Sequence, residues 1–151
     1  MIEKIPTGAD EQHEKPKIEI WMIDDSRDVS STWQNMVKIK SPDVIFRTFS
    51  RAQDAIEELE RRAETSLPHG IIVDGNLDLD RGELSQGPHV VRKIVEMIGD
   101  KVLLMAHSSS PDLNEQMMQN GAKHVIQKPA GLKDIESAMK QAKKFAEQKI
   151  S

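Results

Sequence analysis

The segment IIVDGNLDLDRGE, from Ile71 to Glu83, carries the strongest local indication of a fold in this chain. Three apolar residues lead directly into Asp74, and polar residues, most of them acids, follow at every second position as far as Asp80. A short apolar run that ends in polar, turn-forming residues is typical of a buried β-strand. The acids that follow the strand fit a calcium loop, a phosphate-accepting aspartate or a solvated turn. The residues elsewhere in the sequence, and their spacing, decide between these three interpretations.

Four similar apolar runs occur elsewhere, and amphipathic helical patterns lie between the runs and after the last one. Each run is short and apolar, as expected of strands that are covered on both faces. A strand–helix alternation repeated five times predicts an α/β fold with a parallel sheet and helices on both faces. The predicted strands are Ile18–Ile23, Val44–Phe49, Gly70–Val73, Val102–His107 and His124–Gln127.

The helical patterns have recognisable starts and ends. Ser50 with Gln53 is a capping-box pattern at the start of the second helix. Pro88 suits the first turn of the third helix, and the pair Ser110-Pro111 predicts the start of the fourth. Gly121 is expected to end that fourth helix.

Composition restricts the class of protein. The chain has 151 residues, a net charge of −4, 37% hydrophobic residues and no cysteine. These values predict one globular domain at 17–149 without disulfides, and they give no indication of binding to nucleic acid or to a membrane. Residues 1–16 are polar and predict a disordered tail, not a signal peptide, so we expect a cytoplasmic protein with no output domain on this chain.

Polar side chains follow all five predicted strands, and the one after the second strand, Ser50, is the less reactive. Asp24 and Asp25 follow the first strand, Asp74 the third, Ser108 the fourth and Lys128 the fifth. In an open parallel sheet, ligands bind at the carboxyl ends of the strands, so these groups are expected to meet. Mg²⁺ shared between two carboxylates would relieve their repulsion and make the third-strand aspartate a plausible nucleophile toward a phosphoryl group. The amine and the hydroxyl would offset charge on the transferred oxygens.

These motifs together resemble the receiver domain of bacterial response regulators over residues 17–149. The resemblance implies a flavodoxin-like, doubly wound (βα)5 fold with strand order 2-1-3-4-5. It implies that Asp74 is the phosphoacceptor, that Asp25 and Asp74 bind Mg²⁺ directly, that Asp24 acts through water, and that the backbone carbonyl of Asn76 completes the protein ligands. It also implies that Lys128 contacts the phosphoryl group and that the Ser108 hydroxyl moves toward it.

The same resemblance implies partners. A histidine kinase or a phosphotransfer protein would donate the phosphoryl group, and the signal would leave through a downstream protein or a phosphorelay. The chain would then be a phosphoacceptor and not an enzyme with its own substrate. A degenerate receiver that binds a partner constitutively, and a small phosphohydrolase, are the alternatives.

Three departures from the pattern of that family stand out. The Gly87-Pro88 helix start implies an extended loop at 78–86. The fourth strand ends in three serines, so the switch hydroxyl could belong to Ser108 or Ser109. Val125 stands where the family often has a switching aromatic, and the chain has no tyrosine, so the signal must leave by another route.

Spacing argues against the alternatives for the opening segment. A calcium loop that began at Asp74 would need glycine where Leu79 stands and glutamate where Ser85 stands. A haloacid-dehalogenase-like phosphatase would need an aspartate in place of Asn76. The remaining acids of the loop are expected to be solvated, and His107 is expected to be a satisfied strand-end side chain that could tune the site. Those acids are Asp78, Asp80 and Glu83.

Overall fold

The computed structural model describes residues 17–62 and 66–150, with the side chains of residues 149 and 150 excepted. The predicted tail at 1–16 lies outside the described residues. Five strands and five helices alternate along the described residues, with a short 3₁₀ turn at Gly82–Ser85. The strands are β1 (Ile18–Ile23), β2 (Val44–Phe49), β3 (Gly70–Asp74), β4 (Leu103–Ser108) and β5 (His124–Gln127). The helices are α1 (Arg27–Lys40), α2 (Ala52–Arg61), α3 (Gly87–Ile98), α4 (Pro111–Asn120) and α5 (Leu132–Ile150).

The strands form one parallel sheet in the order β2-β1-β3-β4-β5. The flavodoxin-like, doubly wound (βα)5 prediction with order 2-1-3-4-5 is therefore confirmed. The central register pairs Ile23 with Val73 and Asp74 with His107. This register brings the carboxyl ends of the three central strands to the same edge of the sheet, which is the edge that carries the candidate site.

Two apolar layers cover the sheet, one on each face. One layer includes Trp21, Ile71 and Leu104 and packs against α2, α3 and α4. The other includes Trp33, Ile72 and Met105 and packs against α1 and α5. Alternate strand residues face opposite sides of a sheet, so a strand that is buried on both faces must be apolar at every position. All residues of β3 are buried, and β3 meets this requirement from Gly70 to Val73, with the charged Asp74 only at its end.

The predicted start signals of the helices are found in the structure, except at α2. The Ser110 hydroxyl accepts a hydrogen bond from the Leu113 amide, as an N-cap does, and Gly121 follows the end of α4. The predicted capping box of Ser50 and Gln53 is wrong, since the N-cap of α2 is Arg51 and its side chain makes no capping bond.

The first turn of α2 is capped from elsewhere in the chain. The Asp80 carboxylate accepts hydrogen bonds from the Ala52 amide at 2.7 Å and from the Gln53 amide at 3.1 Å. Asp80 is buried, so the prediction that it is a solvated loop residue is wrong. Capping by a distant acid satisfies two orphan amides and places negative charge at the positive end of the helix.

The loop between β3 and α3 is ordered by its own contacts. Residues 78–86 form the extended loop that the late start of α3 predicts. Leu77 is fully buried, and its amide donates to the Ser85 carbonyl at 2.9 Å. Within the described part of the chain, no helix combines the length and the apolar character needed to cross a bilayer.

Candidate functional site

The predicted site residues converge at one edge of the sheet. Asp24 follows β1, Asp74 is the last residue of β3, and Lys128 follows β5. One carboxylate oxygen from each of Asp24, Asp25 and Asp74 can be chosen so that all three lie within 4.8 Å of one another. The Lys128 ammonium lies 2.9 Å from Asp74 Oδ1 and 3.0 Å from Asp24 Oδ2. Three acids and one amine from three separate strand ends therefore share one small volume.

The two inner carboxylates are buried. Asp24 is 1% exposed and Asp74 is 6% exposed. Burial, followed by repulsion from Asp24, raises the pKa of Asp74 to about 6, although the hydrogen bond and positive charge of Lys128 and a backbone hydrogen bond from Asn76 oppose the shift. The raised pKa records an unfavourable concentration of negative charge that a cation would relieve.

The same two carboxylates also affect the pKa of the Lys128 ammonium. Burial works to lower the pKa of its ammonium, but hydrogen bonds and attraction from Asp74 and Asp24 together outweigh burial and raise it. The amine is therefore held in its charged form and remains a hydrogen-bond donor at neutral pH. The Lys128–Pro129 peptide bond that follows is cis.

Backbone amides hold the acidic pair. The Ser26 amide donates to Asp24 Oδ1 at 2.8 Å, and the Asp78 amide donates to Asp25 Oδ2 at 2.7 Å. Asp25 is half-buried, whereas Asp24 is buried. These contacts orient the two carboxylates before any ligand binds, which reduces the reorganisation that binding would require.

Three consecutive serines at the end of β4 have different environments. The Ser108 hydroxyl is buried and accepts a hydrogen bond from the Ser110 amide at 3.0 Å. A methyl group added at Gly75, the residue after Asp74, would lie 2.7 Å from Ser108 Oγ. Ser109 is exposed, and Ser110 caps α4. Of the two candidate hydroxyls, it is that of Ser108 that lies beside Gly75, the residue directly after the candidate acceptor Asp74.

A glycine at the start of α3 permits the close approach of that helix to β3. A Cβ atom added to Gly87 would lie only 2.3 Å from the carbonyl oxygen of Asp74. The Gly87 amide also donates to the Gly75 carbonyl at 2.8 Å. Asn76, predicted as a backbone metal ligand, is exposed and forms an isolated bridge with Gln86. Gln86 and Gly87, at the start of α3, therefore hold the backbone of residues 75–76, which directly follow the candidate acceptor.

The prediction that His107 is a satisfied strand-end side chain is wrong. It is 1% exposed, and neither of its ring nitrogens has a hydrogen-bond partner among the residues that the structure describes. Its Nδ1 lies 3.9 Å from Asp24 Oδ2, and its ring packs edge-on against Trp33 at a centroid distance of 5.1 Å. Burial, assisted by the positive charge of Lys128, lowers the pKa of His107 to about 3, so the imidazole is neutral beside the site.

The arrangement provides a carboxylate nucleophile, an oxygen-rich pocket for a hard cation, and an ammonium donor within hydrogen-bond reach of the nucleophile. Ligands of this kind suit Mg²⁺, which prefers carboxylates together with water and phosphate oxygens. A metal-free carboxylate with a pKa near 6 is partly protonated in mildly acidic solution, and a bound cation would favour its charged, nucleophilic form.

Comparison with known proteins supports the fold assignment. No protein-family model and no curated protein matches this sequence. Many solved structures do match over most of the chain, and many of them are receiver domains of response regulators. A signal receiver domain from a Vibrio parahaemolyticus protein has a TM-score of 0.73 at 19% identity, covering 89% of this chain and 97% of its own.

Two further solved structures give the same result. A CheY-like response regulator receiver domain protein from Methanospirillum hungatei has a TM-score of 0.68 at 15% identity, covering 89% of this chain and 98% of its own. A response regulator receiver protein from Pseudoalteromonas atlantica has a TM-score of 0.67 at 18% identity, covering 85% of this chain and 98% of its own. The chain therefore has the CheY-like receiver fold, in agreement with the resemblance of its motifs.

Proposed function

We propose that this protein is a phosphorylation-controlled signalling switch that accepts a phosphoryl group on Asp74 in the presence of Mg²⁺. The observation that carries the proposal is the convergence of three carboxylates within 4.8 Å of one another around the end of β3, with the Lys128 ammonium 2.9 Å from Asp74. The position of this cluster supports the proposal, because open parallel sheets bind their ligands at the carboxyl ends of their strands.

The donor set fits Mg²⁺. It consists of oxygen ligands only, and burial followed by repulsion from Asp24 raises the pKa of Asp74, a penalty on the charged carboxylate that a divalent cation would offset. Asp25 and Asp74 would hold the ion directly, Asp24 would act through water, and the backbone carbonyl of Asn76 would complete the protein ligands. When bound, the cation would neutralise charge on the phosphoryl oxygens.

The chemical step that we propose is a single phosphoryl transfer. A carboxylate oxygen of Asp74 attacks the phosphorus atom of a phosphohistidine or of a small acyl phosphate. An O–P bond forms while the bond from phosphorus to the leaving group breaks. The electron pair leaves with the imidazole nitrogen, which takes up a proton, or with the released carboxylate. The product is an aspartyl phosphate on this chain, so the protein acts as a phosphoacceptor and does not turn over an external substrate.

Two neighbouring groups would assist the transfer. Lys128 already donates a hydrogen bond to Asp74, and its three donors allow it to contact a phosphoryl oxygen as well. Ser108 is buried beside Gly75, so a small movement of β4 would bring its hydroxyl to the new phosphoryl group. A contact made only in the phosphorylated form would bias the end of β4 and the start of α4 toward a second packing.

The outcome of the switch would be binding to another protein in the cytoplasm or onward transfer of the phosphoryl group. A histidine kinase or phosphotransfer protein is the donor that we infer. Val125 is 45% exposed on β5 and is not aromatic, so output through an aromatic rotamer at this position is not part of the proposal.

The decisive experiment uses acetyl phosphate as donor. The full chain is incubated with Mg²⁺ and acetyl phosphate, and intact-protein mass spectrometry follows the appearance of one added phosphoryl mass. The wild type is expected to gain the mass with Mg²⁺ and to gain none when EDTA replaces Mg²⁺ in the incubation. The phosphorylated protein is expected to lose the mass on treatment with hydroxylamine, which cleaves acyl phosphates.

Matched variants make the assignment specific. Asp74→Asn is expected to gain no mass, whereas Asp78→Asn, which changes an exposed acid of the adjacent loop, is expected to behave like the wild type. A mass gain in Asp74→Asn equal to that of the wild type would refute Asp74 as the acceptor. A wild type that stays unmodified under every donor condition would favour a degenerate receiver that binds a partner constitutively.

A further inference from the structure

The loop after β3 joins the candidate cation site to the first turn of α2 through two acids. At one end, Asp25 Oδ2 accepts a 2.7 Å hydrogen bond from the Asp78 amide. At the other end, both oxygens of Asp80 accept hydrogen bonds from amides of α2, at 2.7 and 3.1 Å. Only one residue, Leu79, separates Asp78, the donor to the metal site, from Asp80, the helix cap, so the loop is short enough to transmit position between them.

The apolar core also holds this turn, through the buried side chain of Leu77. The side chain of Leu77 is fully buried among the residues that pack against α2 and α3. The Asp80 amide donates to the Leu77 carbonyl at 2.9 Å, which closes a tight turn over residues 77–80. The Asp78 amide lies inside this turn, and its direction therefore depends on both ends of the turn being held.

Asp80 differs from its neighbours in the loop. It is 7% exposed, whereas Asp78 and Leu79 are exposed. A carboxylate is buried at a cost unless hydrogen bonds compensate it, and here two backbone amides do so. The burial shows that the loop is held against α2 by this side chain and not by its apolar neighbour, Leu79.

We propose that Asp80 is a positioning residue for the cation site: by capping α2 it fixes the 77–80 turn, whose Asp78 amide orients the Asp25 carboxylate. The proposal deepens the function proposed above and rests on it, since it assigns a role in binding Mg²⁺. Outer contacts that orient a metal ligand contribute substantially to affinity, and their loss weakens metal binding by about 10–100-fold. Because Asp80 acts through one further contact, the lower end of that range is expected.

The test measures Mg²⁺ affinity directly, by isothermal titration calorimetry on the full chain, without any phosphoryl donor. Asp80→Ala is expected to weaken the affinity by about tenfold. Asp80→Asn keeps one oxygen as acceptor but turns an NH₂ donor toward the second amide. Its Mg²⁺ affinity is therefore expected to lie between those of the wild type and Asp80→Ala. In Asp80→Ala, the ¹⁵N–¹H resonance of the Asp78 amide should also move upfield before Mg²⁺ is added, as its bond to Asp25 lengthens.

Two control variants separate positioning from stability and from charge. Glu57→Gly weakens α2 at an exposed interior position without touching the loop, and it is expected to lower the unfolding midpoint while leaving the Mg²⁺ affinity and the Asp78 resonance unchanged. Glu83→Ala removes an exposed acid from the same loop but lies outside the 77–80 turn, and it is expected to bind Mg²⁺ nearly as the wild type does.

The possible outcomes have distinct meanings. If Asp80→Ala binds Mg²⁺ as tightly as the wild type, or loses no more affinity than Glu57→Gly, the positioning role is refuted and the proposed phosphoacceptor function stands. If the affinity falls but the Asp78 resonance does not move, the route through the 77–80 turn is refuted. If the wild type itself binds no Mg²⁺, the positioning proposal and the metal-assisted function fall together.

Discussion

Replacing Asp74 by asparagine should stabilise the metal-free protein, and the gain should grow with pH. The pKa of Asp74 is raised from 3.8 to about 6, chiefly by burial and then by repulsion from Asp24. A carboxyl group whose pKa is raised by folding stabilises the fold while it is protonated. That contribution is complete below the unfolded pKa and is lost as pH rises through the folded pKa. Asparagine keeps the shape and a carbonyl oxygen for Lys128, but it never acquires the charge.

The expected magnitude follows from the shift. A shift of about two pKa units corresponds to about 3 kcal/mol, at about 1.4 kcal/mol per unit. The Asp74→Asn variant should therefore differ little in stability from the wild type at pH 4, near the unfolded pKa, but should be more stable by about 3 kcal/mol at pH 7 and above. For a urea slope of about 1.5–3 kcal/mol/M, this value moves the unfolding midpoint by roughly 1–2 M.

Equilibrium urea unfolding at pH 4, 6 and 8 in EDTA, followed by tryptophan fluorescence, measures this difference. Asp78→Asn serves as the control because it makes the same chemical change at an exposed acid, and its midpoint should track that of the wild type at each pH. A stability difference that stays flat between pH 4 and pH 8, or an Asp74→Asn variant less stable than wild type at pH 8, would refute the electrostatic account. Adding Mg²⁺ should stabilise the wild type and narrow the difference.

Three other substitutions test the surroundings of the acceptor. Lys128→Met removes the ammonium that contacts two buried carboxylates, and urea unfolding at pH 8 without metal should record a loss of about 3–5 kcal/mol. Gly87→Ala forces a methyl group against the Asp74 carbonyl, which should cost about 1–3 kcal/mol by the same assay. Ser108→Ala should slow phosphorylation by acetyl phosphate roughly tenfold, as expected for one hydrogen bond to a charged group, while Ser109→Ala stays near the wild-type rate in the mass assay.

The fold was predictable from the sequence because its signals are local. β1, β2 and β5 have the predicted boundaries, since each is an apolar run of four to six residues between polar segments. The start of α3 at Gly87 was also predictable, because proline in a first turn is a strong local signal. The convergence of Asp24, Asp74 and Lys128 followed from topology alone, since parallel strands bring their carboxyl ends to one edge.

The errors concern contacts between distant parts of the chain. Ser50 with Gln53 has the right spacing for a capping box, but Asp80 occupies the amides of α2 from 28 residues beyond Ala52, and no local pattern reveals such a competitor. His107 was misjudged for a related reason. Its place at the end of β4 was predictable, whereas its burial against Trp33 without a hydrogen-bond partner depends on how α1 packs over the sheet.

The same charges that make the candidate site useful also make it costly to fold. Asp74 is held in a buried position beside Asp24, and the single ammonium of Lys128 compensates them only in part, because the pKa of Asp74 remains raised. A protein selected for stability alone would replace such a cluster by apolar residues, since buried ion pairs are often no better than well-packed side chains. The cluster is therefore best explained by a ligand that the metal-free fold lacks. A divalent cation would neutralise the carboxylates, and a phosphoryl group on Asp74 would exchange the carboxylate charge for one that Lys128 and Ser108 could share.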